Sequence, residues 1–228
     1  MPHASSGESR LVSSNQTGLH KNLIDVVSKH ASSSYRRPIA DHTQIAFETM
    51  LKTLDPSWHS VIVDSGCGTG QSSLALARAH PNQLIIAIDK SEARLRKFEG
   101  PVPRNLRLVH AELIDIWQLL QSHKFPIIRH YLFYPNPWPK AKHLKKRWHG
   151  NPIFPTLLRL SPHLTLRTNW RIYAMEFVAA AMHLNELGVV NGTASWENIK
   201  IDEPISAFEK KYLASGHTLF EVTFVAQE

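Results

Sequence analysis

The run Tyr134-Pro135-Asn136-Pro137-Trp138-Pro139-Lys140 places an amide, an indole and an ammonium group on a backbone interrupted by three prolines. Proline fixes φ and removes the N–H donor, so the segment reads as a stiff, extended turn and neither a helix nor a central strand. An amide there can fix the edge of a planar ligand with one acceptor and two donors, while the indole stacks on a base or packs locally. A rigid connection without chemistry is the bland alternative. From Lys140 to His149 the chain carries five Lys or Arg and two His with no acid. Lys140, Lys142, Lys145, Lys146 and Arg147 therefore suit a phosphate backbone better than an ordinary solvated face.

A second constellation lies upstream. Val61-Ile62-Val63-Asp64 is an apolar run that ends at an acid and leads into Gly66-Cys67-Gly68-Thr69-Gly70, and Leu84 to Asp89 repeats the pattern of an apolar run closed by an acid. In an open α/β sheet, ligands bind beyond the carboxyl ends of the strands, so Asp64, the glycines and Asp89 are expected on one rim. The Gly-x-Gly-x-Gly spacing differs from the fingerprint that cradles a dinucleotide pyrophosphate, which favours a nucleoside without phosphates. A carboxylate at the position of Asp89 can accept from ribose hydroxyls. S-adenosylmethionine, with a ribose, an adenine and a cationic sulfur, suits this acid-lined loop. Glu112, just after the third expected strand, is the candidate for the adenine edge.

Elements that alternate along the chain must position these groups. Strands are expected near 61–64, 84–89, 106–109, 131–134, 164–168, 196–201 and 219–225. Between them, helices are expected near 71–80, 91–98, 113–121, 151–160, 170–187 and 208–214. Such alternation argues for a doubly wound, mostly parallel sheet of the α/β class with helices on both faces. Residues 19–58 read as a helical N-terminal lead-in to that domain, with Asp41 as a helix cap. Met1 to Gly18, rich in Ser, His and Asn, reads as a disordered arm and lacks the apolar core of a secretory signal.

Composition bounds the rest. The chain has 228 residues, 26 Lys plus Arg against 19 acids and a formal charge of +7, which favours an anionic partner. No run approaches the length of a membrane span, and a single cysteine, Cys67, excludes an internal disulfide and every Cys-rich zinc pattern. Fourteen histidines show no His-Glu-x-x-His spacing, so no metal is expected. These features fit a cytoplasmic monomer or homodimer.

The proline loop and glycine loop together resemble the tRNA (guanine-N7-)-methyltransferase family, whose segment reads Phe-Pro-Asp-Pro-Trp-x-Lys followed by a basic stretch. Thr168-Asn169 through Tyr173 is similar to the family's Thr-Asp-x-x-x-Tyr, and Ser206-Ala207-Phe208-Glu209 to its Thr-x-Phe-Glu. Order and spacing agree from about Val61 to the C-terminus, and Arg36, Arg37 and Gln44 are similar to a basic lead-in. The resemblance implies a class I methyltransferase (Rossmann-like) sheet of seven strands, S-adenosylmethionine as cofactor and N7 of a variable-loop guanine in tRNA as acceptor. It assigns Asp64, Gly66, Gly68, Gly70, Asp89 and Glu112 to the cofactor and puts Asn136 beside methyl transfer. Lys140, Asn169, Ser206, Phe208 and Glu209 fall where the family meets tRNA or its target guanine.

Three positions depart from the pattern: Asp64 stands where Glu is usual, and Asn136 and Asn169 stand where the family has Asp. Glu209 is a candidate to supply the missing charge. Two other readings stay open. An Asn-Pro-Pro-aromatic motif, which Asn136-Pro137-Trp138 approaches, would direct methylation to an exocyclic amino group, and a fold that kept RNA binding without catalysis would need no acid.

Overall fold

The computed structural model describes residues 9–33, 35 and 37–227. Residues 1–8 of the expected arm, and Arg36 of the basic lead-in, lie outside the described residues. Helices α1 (Leu23–Ala31) and α2 (Asp41–Thr53) precede the first strand, β1 (Val61–Ser65). There follow α3 (Gln71–Ala79), β2 (Leu84–Asp89), α4 (Glu92–Leu95), β3 (Leu106–His110), α5 (Leu113–Ser122) and β4 (Ile127–Phe133). Two 3-10 turns, Ala141–Lys146 and Trp148–Gly150, carry the basic run into α6 (Phe154–Arg159). The chain ends with β5 (His163–Thr168), α7 (Arg171–Glu186), β6 (Gly192–Ile199), α8 (Ala207–Ala214) and β7 (Leu219–Ala226).

The seven strands form one sheet in the order β3-β2-β1-β4-β5-β7-β6. β1 to β5 pair in parallel, and β7 runs antiparallel between β5 and β6. Val61-Ile62-Val63 and Leu84-Ile85-Ile86-Ala87-Ile88 are buried throughout, as continuous apolar runs must be when both faces of a parallel sheet are covered. Alternate side chains enter two cores. Val61, Val63, Leu84 and Ile86 join the larger one with α1, α2, α5, α6 and α7; Ile62, Ile85 and Ala87 join the smaller one with Leu76 and Ala77 of α3.

Several boundaries differ from the sequence reading for identifiable reasons. β4 begins four residues earlier than expected because Arg129 and His130 interrupt the apolar pattern; the buried His130 finds Ser65 Oγ at 2.7 Å. It stops at Phe133 because Tyr134 takes a left-handed backbone, φ 52°. β6 occupies Gly192–Ile199 and lies earlier than expected, paired with β7 along its whole length, so pairing outweighs the weak strand propensity of Gly-Thr-Ala-Ser. Asn151 does not cap α6: its Oδ1 accepts from Ile153 N–H at 3.1 Å in a turn before the helix. Asp41 lies inside α2, whose N-cap is Ala40.

Where the sequence suggested an unstructured arm through Gly18, residues 9–18 run along the domain surface as irregular chain fastened at several points. Ser9 N–H donates to Ser215 Oγ at 2.8 Å, Ser14 Oγ donates to Pro139 O at 2.7 Å, and Gln16 reaches Glu176 of α7. Among the described residues no helix is long and apolar enough to cross a membrane.

Candidate active site

The parallel strands bring every candidate element to one rim. β1 and β4 are neighbours, so the glycine loop after Ser65 and the proline loop after Phe133 leave the sheet side by side. Asn169, just past β5, and the start of α8 lie on the same edge. Gly66, Gly68 and Gly70 all have left-handed φ, 78°, 62° and 81°, a region closed to most residues with a Cβ. The loop is pinned by Gly66 and Cys67 N–H groups to Ile88 O at 2.7 and 3.0 Å. At Gly70 an added Cβ would stand 2.6 Å from the Phe98 ring, whereas one at Gly68 would meet nothing within 4 Å. The loop is thus tightly covered at Gly70 and open at Gly68.

Asp89, although only 2% exposed, holds this arrangement: Oδ2 accepts from Gly68 N–H at 2.9 Å and Oδ1 from Ser91 N–H at 2.8 Å. Arg94 lies 3.4 Å from the same carboxylate. A carboxylate offers about four lone-pair sites, so Asp89 retains capacity for a ribose hydroxyl. Asp64 is placed differently from expectation. Its side chain is buried and accepts from Ser72 and Ser73 hydroxyls at 2.7 and 2.6 Å, which ties the end of β1 to the first turn of α3 on either side of the loop. Burial pushes its carboxyl up to about 6, and Oδ1 has no partner. Through Oδ2, Asp64 thus braces the two ends of the loop. Glu112 is half-buried at the start of α5, with its N–H on Thr43 Oγ1 at 3.1 Å. Open glycine backbone flanked by Asp89 and Glu112 fits a cationic nucleoside.

The proline loop holds two non-glycine residues with positive φ, Tyr134 at 52° and Trp138 at 45°. Such residues persist where the surroundings fix them, often at functional sites. Tyr134 N–H donates to Arg167 O at 2.8 Å and its hydroxyl to Glu209 Oε1, also at 2.8 Å. Asn136 is exposed, and its Oδ1 faces Trp138 N–H at 3.3 Å. Over the half-buried Trp138 ring stands Lys146 Nζ, 4.5 Å from the centroid, with His143 edge-on at 5.5 Å.

Lys140, Lys142, Lys145 and Lys146 are exposed as a phosphate track requires. Arg147 is not: it is fully buried, ion-paired with Glu176 and 4.7 Å over the Trp170 ring. Its reading as a phosphate contact is corrected. Glu209 is also fully buried, accepting from Tyr134, from Arg167 Nη1 at 2.9 Å and from Ile205 N–H at 2.7 Å. Its charge is neutralised internally, so it braces the loop and does not face a purine. Ser206 caps α8 by accepting from Glu209 N–H at 3.2 Å, Phe208 is 51% exposed, and Asn169 Nδ2 meets His217 Nδ1 at 3.0 Å. Arg167, Glu176, Ser14 and Gln16 escaped the sequence reading. Glu176 alone left a trace, as a single acid among Tyr173, Ala174, Phe177 and Ala180 on the buried face of α7.

A family model described as putative methyltransferase matches residues 59–222. The tRNA (guanine-N(7)-)-methyltransferase of Nitrosomonas europaea is 30% identical over 172 residues, covering 72% of this chain and 75% of the relative. The protein of the same name from Leifsonia xyli is 27% identical, with 71% and 74% covered. Among solved structures, a variant of the 16S rRNA (adenine(1408)-N(1))-methyltransferase from Catenulisporales acidiphilia, with cosubstrate SAM, superposes with a TM-score of 0.53 at 18% identity, covering 85% of this chain and 94% of that one. The 16S rRNA methyltransferase KamB gives 0.53 at 14% identity, covering 84% and 96%. These structures share the fold.

Proposed function

The chain belongs to the tRNA (guanine-N(7)-)-methyltransferase family, and we propose that it transfers the methyl group of S-adenosylmethionine to N7 of a guanine in the variable loop of tRNA. The observation that carries this reading is the juxtaposition on one rim of an open glycine loop and the proline loop, with Lys140 to Lys146 leading away from them. The site's place in tRNA processing points to the cytoplasm.

Bound on the glycine loop, S-adenosylmethionine supplies an electrophilic methyl group on a cationic sulfur. Gly66 and Gly68 would let the backbone approach it, Asp89 would accept from the ribose, and Glu112 would serve the adenine edge. Guanine N7 is an in-plane lone pair without a proton, so no side chain has to remove one; alignment of acceptor and methyl group supplies most of the acceleration. Asn136 would hold the guanine edge through its amide. A carboxylate there would add an electrostatic partner for the purine cation that forms, an effect of about 10²-fold. Lys140, Lys142, Lys145 and Lys146 would track the phosphates and set register without reading sequence.

Incubation with unmodified tRNA and labelled S-adenosylmethionine tests the proposal. Borohydride and aniline treatment should cleave the product at a single variable-loop guanine. Label on an exocyclic amino group would replace the N7 reading, and tRNA binding without turnover would leave a binding protein on a methyltransferase fold.

A further inference from the structure

The proline loop cannot satisfy its own backbone. Pro137 and Pro139 have no N–H, and the segment forms no regular structure, so its carbonyl groups need partners from elsewhere. Two successive carbonyls find them: Trp138 O accepts from Arg147 Nε at 3.2 Å and Pro139 O from the Ser14 hydroxyl at 2.7 Å. Lys140 O, which already accepts from His143 N–H at 2.9 Å, lies 3.5 Å from Arg147 Nη2. These bonds surround Trp138, whose positive φ persists only if the surroundings fix it.

Arg147 is itself immobilised. Its Nη1 pairs with Glu176 Oε2, its Nη2 also donates to Gln16 Oε1 at 3.1 Å, and its guanidinium stacks over Trp170. Glu176 Oε1 in turn gathers the N-terminal segment, accepting from Gln16 Nε2 and from His20 N–H at 2.8 Å. His149 Nε2 reaches Glu176 Oε2 at 2.9 Å while its Nδ1 is buried without a partner, and burial holds the imidazole below its ordinary value. Burial thus disfavours a charged ring, and Arg147 is the permanent cation beside Glu176. Burial opposes ionisation of Glu176, but its buried partners hold its carboxyl below the ordinary carboxylate value.

We propose that Arg147, anchored by Glu176, and the N-terminal segment through Ser14 and Gln16 are positioning residues that clamp Trp138 to Lys140 and thereby fix Asn136 for methyl transfer. The inference rests on the methyltransferase reading for its catalytic consequence, while the clamp itself is a statement about the loop. The segment that sequence assigned to a loose arm is, on this account, one jaw of the active site.

The test compares the full chain with a Ser14→Ala/Gln16→Ala double variant, using S-adenosylmethionine and unmodified tRNA. Turnover should fall about tenfold or more, because small displacements of a positioning element are costly, while the dissociation constant for S-adenosylmethionine stays within about twofold. Trypsin cleavage after Lys140 and Lys142, at a temperature where both proteins are folded, should accelerate about fivefold or more as local opening becomes easier. Ser14→Thr, which keeps the hydroxyl, should be cleaved at the wild-type rate. Unchanged cleavage in the double variant, or turnover equal to wild type, overturns the clamp. Failure of the wild-type chain to methylate tRNA would instead remove the functional reading, and proteolysis would still decide whether the segment holds the loop.

Discussion

The hydroxyl of Tyr134 donates to Glu209 Oε1 at 2.8 Å, joining the first residue of the proline loop to the first turn of α8. The two residues lie 75 positions apart, and the contact exists because β4 ends beside the segment that follows β6. Glu209 also accepts from Arg167 and from Ile205 N–H, so three separate stretches of chain meet at one buried carboxylate.

Tyr134→Phe removes one bond to that charged acceptor and leaves the others. We expect a loss of about 1.5–3 kcal/mol in urea denaturation and a larger fall in turnover than in S-adenosylmethionine affinity. Glu209→Ala, which strands Tyr134 and half of the Arg167 pairing, should cost about 3–5 kcal/mol.

Asn136→Asp isolates the missing charge. A carboxylate oxygen can accept from Trp138 N–H as the amide oxygen does, so the turn survives while a negative charge is added. Turnover should rise, by up to about 10²-fold, with tRNA affinity little changed. A large loss of turnover would show that the amide hydrogens themselves contact the guanine.

Neutralising Lys145 or Lys146 should reduce the dependence of tRNA affinity on log salt by about one unit of slope each. The two are not equivalent. Lys146 also covers Trp138, so Lys146→Gln should lower turnover as well, whereas Lys145→Gln should act on binding alone. Filter binding over a salt series, paired with single-turnover rates, separates them.

Asp64 gives a pH signature. Its carboxyl is raised by burial from 3.8 to about 6 in the fold. A raised folded value means that the native state holds its proton longer than the unfolded chain does. The stabilisation is therefore complete below about pH 4 and is lost as pH rises through about 6. Relative to wild type, Asp64→Asn should gain stability by about 3 kcal/mol across that interval, and the difference should be flat on either side. The subtraction also removes His130, which burial holds down at about 3 and which acts with the opposite sign. Chemical denaturation at a series of pH values measures both curves.

Much of the fold was legible in the chain because its signals are local. Val61 to Ser65 and Leu84 to Asp89 are apolar runs closed by polar residues, the glycines mark a turn that only they can make, and prolines at alternating positions forbid regular structure. The boundaries that moved, at β4 and β6, are places where partners outweigh propensity: His130 is accepted into a strand by Ser65, and Gly192 to Ile199 is extended because β7 pairs with it.

Sequence by itself determined the family, the two loops and the basic run that follows the second, since each is a matter of residue type and spacing along a short stretch. It could not assign Arg147, Glu209, Asp64 or Ser14. A charged side chain reads as a surface group until something removes it from water, and the partners that make burial tolerable come from distant chain: Glu176 for Arg147, Arg167 and Tyr134 for Glu209. For the same reason Ser14 and Gln16 look unstructured in sequence and become part of the site only where the fold brings Pro139 and Glu176 to them. Desolvation and pairing are properties of the folded surroundings, so only the tertiary structure could separate residues exposed on the rim from those buried and paired behind it.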